Sequence, residues 1–332
     1  MADTAYMTSE AAEEERLMLD AIEKWLEQKV RPVAMELEHA NEYPIDLVED
    51  MKELGLFGAL IDPEYGGLGL TASTYAKIVT LIAEEWMSLT GIFNSHLMMA
   101  QIVQRFGTDK QKAHWLPKFA TGEIRGGLAL TEPNAGTDLQ ALTTKATRVG
   151  DKYVIEGAKT WISNAIEGQC VALLCKTDPG AEPRYKGMSM LITQTKNPET
   201  MEDLPGVTNG NKLEKLGYKG IDSGELIYTG YECDAELSLV GGEEGKGFYY
   251  ILDGINPERI MIGAEAVGLG RCSLDRAVQY AKERNVFGRQ IGMNQGIQHP
   301  LADAWAHLAA ADLMVWKAAA LYDSGQPCGA EA

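Results

Sequence analysis

The stretch that decides the fold is ALTTKATRVGDKYVIEGAKTWI, residues 141–162. Residues 141–148 and 153–162 read as two strands, and the pair Gly150-Asp151 between them has turn chemistry. The stretch therefore predicts a β-hairpin. Short apolar runs predict further strands at residues 171–176, 188–193 and 226–231.

Helical patterns flank this β-rich region on both sides. Apolar residues recur at spacings near three and four from about residue 9 to residue 120, and the same period returns after Gly242. Strands and helices do not alternate as they do in a parallel dinucleotide-binding sheet. The sequence predicts an α+β protein with an N-terminal helical domain, a central β domain and a C-terminal helical bundle, at residues 1–124, 125–240 and 241–332. Individual helices are predicted at residues 45–54, 72–86, 91–106, 248–281 and 296–322.

Composition excludes several classes of function. The formal net charge of −18 argues against non-specific nucleic-acid binding, which needs a basic surface. No apolar run reaches the roughly 18 residues that span a bilayer, and the acidic run at residues 13–15 is unlike a leader peptide. We therefore expect a cytoplasmic protein. The five cysteines form no CxxC pair, and His299 and His307 have no metal-like partners, so neither a disulfide framework nor a metal site is expected.

Two segments of the β region could face a flat ligand. Residues 130–138, LTEPNAGTD, combine hydroxyl and small residues that allow close approach to the backbone. Residues 159–164, KTWISN, place Trp161 beside hydroxyl and amide side chains that suit an aromatic cofactor. An ordinary polar turn and a core tryptophan are the alternative interpretations of these two segments.

Two further groups of residues lie in the C-terminal helical region. Glu258 is a candidate general base if burial raises its pKa, with the Arg259 charge opposing that shift. Alternatively, Asn256-Pro257-Glu258 is simply a good helix start. The loop between the last two helices could present guanidinium and amide groups to a phosphate or a ring edge, or could be a solvated loop; its residues are Arg284, Phe287, Arg289, Gln295 and Gln298.

Several of these segments together resemble the acyl-CoA dehydrogenases. Three motifs carry the resemblance, at residues 130–138, 159–164 and 283–289, and the loop at residues 63–67 and the helix at 256–270 are also similar. The motifs follow one another in the order typical of the family, and the similarity extends from about residue 10 to the end. The resemblance implies a helical N-terminal domain, a central β-barrel-like domain and a C-terminal helical bundle, assembled as a homotetramer.

The resemblance also implies a cofactor and a set of site residues. The cofactor is FAD, with Leu130 and Thr131 against the isoalloxazine ring and Trp161 and Ser163 covering another side. Three residues from a neighbouring subunit would reach this FAD, and two residues would bind the acyl-CoA. The residues that would reach the FAD of the neighbouring subunit are Arg284, Phe287 and Gln295. The residues that would bind the acyl-CoA are Thr137 and Arg259.

The implied reaction is the α,β-dehydrogenation of an acyl-CoA thioester to a trans-2-enoyl-CoA, in fatty acid metabolism. Glu258 would remove the α-proton, as in the isovaleryl-CoA and long-chain types, while the β-hydrogen passes as hydride to flavin N5. In other members the base comes from near the C-terminus, and we expect the chain to lack that segment. An electron-transferring flavoprotein would then accept the electrons. The alternatives are an acyl-CoA oxidase, a desulfinase-like member, and a non-catalytic protein that binds FAD or acyl-CoA.

Overall fold

A computed structural model describes residues 9–332 of the chain, and most of its α-helical residues lie in a few long helices. Shorter 3₁₀ and π turns connect some of these helices and strands. The α-helices are α1 Ser9–Trp25, α2 Ala34–Ala40, α3 Ile45–Glu53, α4 Ala72–Phe106, α5 Asp109–Ala120, α6 Ala235–Ser238, α7 Gly247–Glu283 and α8 Gln295–Asp323.

The strands form one central sheet and one small hairpin. The sheet strands are β1 Gly126–Ala129, β2 Lys145–Val149, β3 Lys152–Ser163, β4 Cys170–Lys176, β5 Met188–Gln194, β6 Val207–Asn209 and β7 Ser223–Asp234. Their order is β1-β4-β2-β3-β7-β6, with β5 pairing with β4. The hairpin strands are β8 Asn285–Val286 and β9 Arg289–Gln290.

The predicted hairpin around Gly150 is confirmed, because β2 and β3 pair antiparallel from Lys145–Glu156 to Val149–Lys152. Strand β2 begins later than predicted, since residues 139–141 form a 3₁₀ turn before it. Strand β6 is too short, at three residues, to give a periodic sequence signal. The inner face of the sheet forms a buried core that includes Tyr153, Ile155 and Leu173.

The chain divides into two compact units, one of which contains the sheet. The sheet unit comprises Glu38–Leu70 and Gly91–Ile255. Local sequence determines how its helices begin and end. Thr108 and Gln111 form a reciprocal capping box at the start of α5. Gly55, at φ 72°, follows the end of α3 in the left-handed conformation that glycine adopts without strain.

The helical unit contains the described residues up to Leu37, together with Thr71–Thr90 and Asn256–Ala332. Its segments of α7 and α8 pack closely, since a Cβ on Gly270 would lie 2.4 Å from the Leu308 side chain. An ion pair of 2.6 Å between Arg271 and Asp312 joins the same two helices. Asp323, at the end of α8, accepts hydrogen bonds from the backbone N–H groups of Ala72 and Ser73 and so caps α4.

Helices precede and follow the sheet along the chain, which confirms the α+β class. The helices predicted at 72–86 and 91–106 are one helix, α4, with non-helical backbone angles at Trp86. The domain boundaries at 124/125 and 240/241 stay predictions, and residues 1–8 of the first predicted domain lie outside the described residues. Within the described range, no helix is both long enough and apolar enough to cross a membrane.

Candidate active site

The first predicted ligand-facing segment begins where β1 ends. Leu130 and Thr131 are half-buried, and Glu132 and Ala135 then close a tight turn by exchanging backbone hydrogen bonds of 2.8 and 3.1 Å. Thr137 lies beyond this turn and is exposed. The backbone of the segment is therefore fixed at its start, and its hydroxyl residues are accessible to a ligand.

The second segment contains a β-bulge. Strand β3 pairs with β7 at Lys159–Leu226 and again at Ile162–Gly224, so Thr160 and Trp161 together oppose one residue. Trp161 has φ 59°, in the left-handed region, and its side chain is 56% exposed. Bulges of this kind re-aim side chains and are common beside functional sites. Here the bulge presents a large aromatic side chain to solvent instead of to the core.

Hydrogen bonds join the two segments directly. The Thr160 N–H donates to the Thr131 carbonyl over 3.0 Å, and Lys159 Nζ donates to the Leu130 carbonyl over 2.9 Å. A Cβ on Gly127 would lie 2.6 Å from the Ser163 carbonyl oxygen, so β1 passes close to the end of β3. The structure thus brings together Leu130, Thr131, Trp161 and Ser163, the four predicted FAD-binding residues of the β region.

This arrangement fits a flavin. A flat ring system needs an exposed aromatic or apolar wall and nearby polar groups, and the bulge supplies both within one unit. Asn164 follows at φ 59° and donates from Nδ2 to the carbonyls of Ile92 and Gly126, each over 2.8 Å. Residues 159–164 therefore have a backbone path that is determined by contacts on both sides.

The predicted catalytic base lies in the helical unit. Glu258 is a half-buried residue of α7, and burial raises the pKa of its carboxyl, while the charge of Arg259 opposes that shift. Arg259 is exposed and donates from Nη1 to Asn256 Oδ1 over 3.3 Å. The interpretation of Asn256-Pro257 as a helix start is wrong, because α7 begins at Gly247 and Pro257 lies inside it.

The remaining predicted cofactor residues also lie in the helical unit. Phe287 and Gly288 form the turn of the β8–β9 hairpin at φ 53° and 77°, and the Phe287 side chain is 100% exposed. Arg284, at the end of the hairpin, and Gln295, the first residue of α8, are exposed as well. In the described residues, no group of three or more potential metal ligands is present.

Sequence reasoning gave no role to Glu132 and Lys159, which form a buried ion pair beside the bulge. Strand alternation could have found Lys159, because Tyr153 and Ile155 of the same strand face the core and Lys159 shares their parity. A lysine at a core-facing position needs a buried acidic partner.

Comparison with known proteins identifies the class to which this chain belongs. Family models for the acyl-CoA dehydrogenase N-terminal, middle and C-terminal domains match residues 12–123, 127–230 and 245–332. The chain therefore belongs to the acyl-CoA dehydrogenase family, whose members are FAD-dependent oxidoreductases. The predicted family, enzyme class and cofactor are confirmed.

Particular relatives are about one-third identical to this chain over the aligned residues. A (2S)-methylsuccinyl-CoA dehydrogenase of Cereibacter sphaeroides is 34% identical over 96% of the chain, which spans 58% of that protein. A mitochondrial isovaleryl-CoA dehydrogenase of Pongo abelii is 32% identical over 95% of the chain, which spans 73% of it. Among solved structures, an acyl-CoA dehydrogenase from Geobacillus kaustophilus superposes with a TM-score of 0.89 at 31% identity, over 98% of this chain and 83% of that one.

Proposed function

We propose that the protein dehydrogenates an acyl-CoA thioester between its α and β carbons to give a trans-2-enoyl-CoA. The observation that carries this proposal is the bulge of β3, which exposes Trp161 and is hydrogen-bonded to the Thr131 backbone. Leu130, Thr131, Trp161 and Ser163 would hold the flavin ring. When bound, FAD supplies the acceptor for the β-hydrogen, which leaves as hydride.

Glu258 is the proposed base for the α-proton. The thioester carbonyl acidifies this proton, and hydrogen bonds to the carbonyl oxygen would stabilise the developing enolate. A carboxylate whose pKa is raised by burial is better matched to a weakly acidic carbon than an ordinary one. The raised pKa of Glu258 therefore supports this role. Thr137 and Arg259, both exposed, are proposed to bind the acyl-CoA.

A homotetramer is proposed as the assembly, with Arg284, Phe287 and Gln295 reaching the FAD of a neighbouring subunit. Large apolar side chains exposed on α7 and α8 support association through the helical unit, among them Ile262, Trp305 and Leu313. An electron-transferring flavoprotein is the proposed electron acceptor, and this part rests on the family alone.

The test is anaerobic mixing of the FAD-loaded protein with a panel of acyl-CoAs, followed in the visible flavin spectrum. The panel includes methylsuccinyl-CoA and isovaleryl-CoA, which the names of the relatives suggest, with straight-chain and aromatic thioesters. Bleaching by one class, with formation of its enoyl-CoA, is the expected result. FAD that stays oxidised with every thioester would contradict the proposed activity. Rapid reoxidation of the bleached enzyme by oxygen would instead indicate an oxidase.

A further inference from the structure

The buried ion pair beside the bulge begins with Lys159. This side chain is 0% exposed, and its Nζ lies 2.9 Å from the Leu130 carbonyl oxygen and 2.9 Å from Glu132 Oε1. Burying an ammonium group is expensive unless it is paired and hydrogen-bonded. Lys159 is therefore held at one place, against the segment that contains Leu130 and Thr131.

Glu132 accepts hydrogen bonds from a third segment as well. Its Oε2 accepts from the Thr143 N–H over 2.7 Å and from Thr143 Oγ1 over 2.8 Å. Its Oε1 accepts from the Thr144 N–H over 2.9 Å, in addition to Lys159. The carboxylate thus ties together three stretches of chain: the segment after β1, the approach to β2 and the inner part of β3.

The carboxyl group stays ionised in this environment. Burial on its own would raise the pKa of Glu132, but the Lys159 charge and the hydrogen bonds from Thr143 and Thr144 outweigh it and lower the pKa to about 2. The Glu132 carboxylate is therefore charged at ordinary pH. Burial lowers the pKa of Lys159, and the charge of Glu132 and its hydrogen bond oppose that shift. Fixed charges with directed hydrogen bonds define one geometry, which an apolar pair of the same volume does not.

The backbone next to this pair needs such support. Trp161 adopts left-handed backbone angles, which residues other than glycine, asparagine and aspartate avoid. Conformations of this kind persist where the surroundings over-determine them, and they cluster at ligand sites. Lys159 lies two residues before Trp161. The residue between them, Thr160, donates its backbone N–H to the Thr131 carbonyl.

We propose that Glu132 and Lys159 are positioning residues for the cofactor: their buried pair fixes the Leu130–Thr131 backbone against the Trp161 bulge in the arrangement that binds the flavin ring. This inference rests on the proposed function, since it takes this face of the sheet as the flavin site. It adds two residues that touch no flavin atom themselves and act through Leu130, Thr131 and Trp161.

The experiment measures FAD binding to apoprotein by three variants: Lys159→Met, Glu132→Gln, and the double variant that contains both changes. The readouts are the FAD dissociation constant, from quenching of flavin fluorescence, and the visible circular dichroism of the bound flavin. We expect FAD affinity to fall at least tenfold and the visible dichroism to change in each folded variant. The double variant leaves no unpaired charge, so it carries the test if Lys159→Met does not fold.

Two controls separate positioning from stability. Lys145 and Glu156 form an exposed pair of 2.9 Å between β2 and β3 of the same hairpin, and Lys145→Met should leave FAD affinity unchanged. Leu191→Ala removes a fully buried side chain from β5, which pairs with β4, and destabilises the core of the sheet while it leaves Glu132, Lys159 and Trp161 unchanged. In its folded state this variant should bind FAD as the original protein does.

Unchanged FAD affinity and unchanged visible dichroism in the folded Glu132 and Lys159 variants would overturn the proposal. The proposal would also be overturned if folded Leu191→Ala lost as much FAD affinity as the Glu132 and Lys159 variants, because general destabilisation would then explain the loss. The proposed function fails differently. It fails if the unsubstituted protein binds no FAD or oxidises no thioester. If the protein binds FAD but oxidises no thioester, the FAD affinities of the variants can still be compared, and the positioning role is still tested.

Discussion

Glu132, in the turn after β1, is buried and Glu258, on α7, is half-buried, yet their pKa values move in opposite directions. At Glu132, the Lys159 charge and the hydrogen bonds from Thr143 and Thr144 outweigh burial, and the pKa falls to about 2. At Glu258, burial is the larger influence and Arg259 only opposes it, so the pKa rises. The difference shows that burial alone does not make a carboxylate reactive. A buried acid with fixed donors stays ionised and serves as a structural element, whereas one without such compensation is suited to proton transfer.

The sharpest test of this comparison is Glu258→Gln. Glutamine keeps the shape of the side chain but cannot accept the α-proton, so kcat should fall by about 10²–10⁴-fold. FAD content and acyl-CoA binding should stay the same, which makes stopped-flow flavin reduction the measurement. Asp275→Asn, an exposed change on the same helix, is the control that should keep full activity. Full turnover by Glu258→Gln would assign the proton transfer to another group.

The pH dependence of kcat/KM also tests whether Glu258 is the base. The base must be deprotonated to act, so kcat/KM should rise with pH through the pKa of Glu258. Because burial raises that pKa above the ordinary 4.5, the acidic limb should lie above the usual carboxyl range. An acidic limb at or below pH 4.5 would contradict the assignment of this limb to Glu258.

A further prediction concerns stability at Glu132. Lys159→Met removes one partner of a buried pair and leaves an uncompensated carboxylate, which should cost about 3–5 kcal/mol in the free energy of unfolding. In the original protein the lowered pKa makes the Glu132 contribution complete above pH 4.5, and it is lost as pH falls toward about 2. Urea unfolding at pH 7 and at low pH measures both effects. A loss below about 1 kcal/mol at pH 7 would show that the pair behaves like an exposed one.

Asp222 is a third carboxylate that tests whether a raised pKa always marks chemistry. Its Oδ2 accepts the Ile166 N–H over 2.7 Å, and its Oδ1 is buried with no hydrogen-bond partner in the described structure. Burial raises its pKa to about 6, since the charges of Lys212 and Lys215 only partly offset the desolvation. Its place beside Ser163 and Ser223, which pair across β3 and β7, suggests a role in holding the end of β3.

Asp222→Asn should therefore change the pH dependence of stability. The pKa of Asp222 is higher in the folded protein than in the unfolded chain, so the folded protein binds more protons between about pH 4 and about pH 6. The free energy of unfolding therefore falls as pH rises from about 4 to about 6. Asparagine has no such charge to bury and keeps an acceptor for the Ile166 N–H. The stability of the variant relative to the original should rise across this window, by up to about 3 kcal/mol. A difference that is flat with pH would show that the pKa of Asp222 is the same in the folded and the unfolded protein, and would contradict the prediction.

The sequence predicted the β2–β3 hairpin and the long helices because their signals are local. Gly150-Asp151 and the alternation of Tyr153 and Ile155 are visible in a few consecutive residues. The bulge at Trp161 is not visible in this way, because it depends on the register between β3 and β7, which are about 60 residues apart. The start of β2 was predicted too early for a similar reason: Thr143 and Thr144 bond to Glu132, a partner outside the local pattern.

The same distinction between local signals and contacts in space applies to the residues of the candidate site. Motif order predicted Leu130, Thr131, Trp161 and Ser163 as flavin-binding residues, and the structure brings these four together. The direction of a pKa shift depends on burial and on the groups that surround the carboxylate in space. Spacing alone therefore left the role of Glu258 open and gave Glu132 no role at all.

The smallest expected effect comes from the exposed pair on the same hairpin. Lys145 and Glu156 lie 2.9 Å apart, the same separation as Lys159 and Glu132, but their side chains are 52% and 55% exposed. Water and salt screen such a pair, so Lys145→Met should cost about 0–1 kcal/mol in urea unfolding, and less at high ionic strength. Equal losses for Lys145→Met and Lys159→Met would mean that distance alone determines the strength of these pairs. A large difference between the two losses would show that burial determines the strength of the pair, because the distances are equal. Burial, together with the neighbouring hydrogen-bond donors and charges, also distinguishes Glu132 from Glu258.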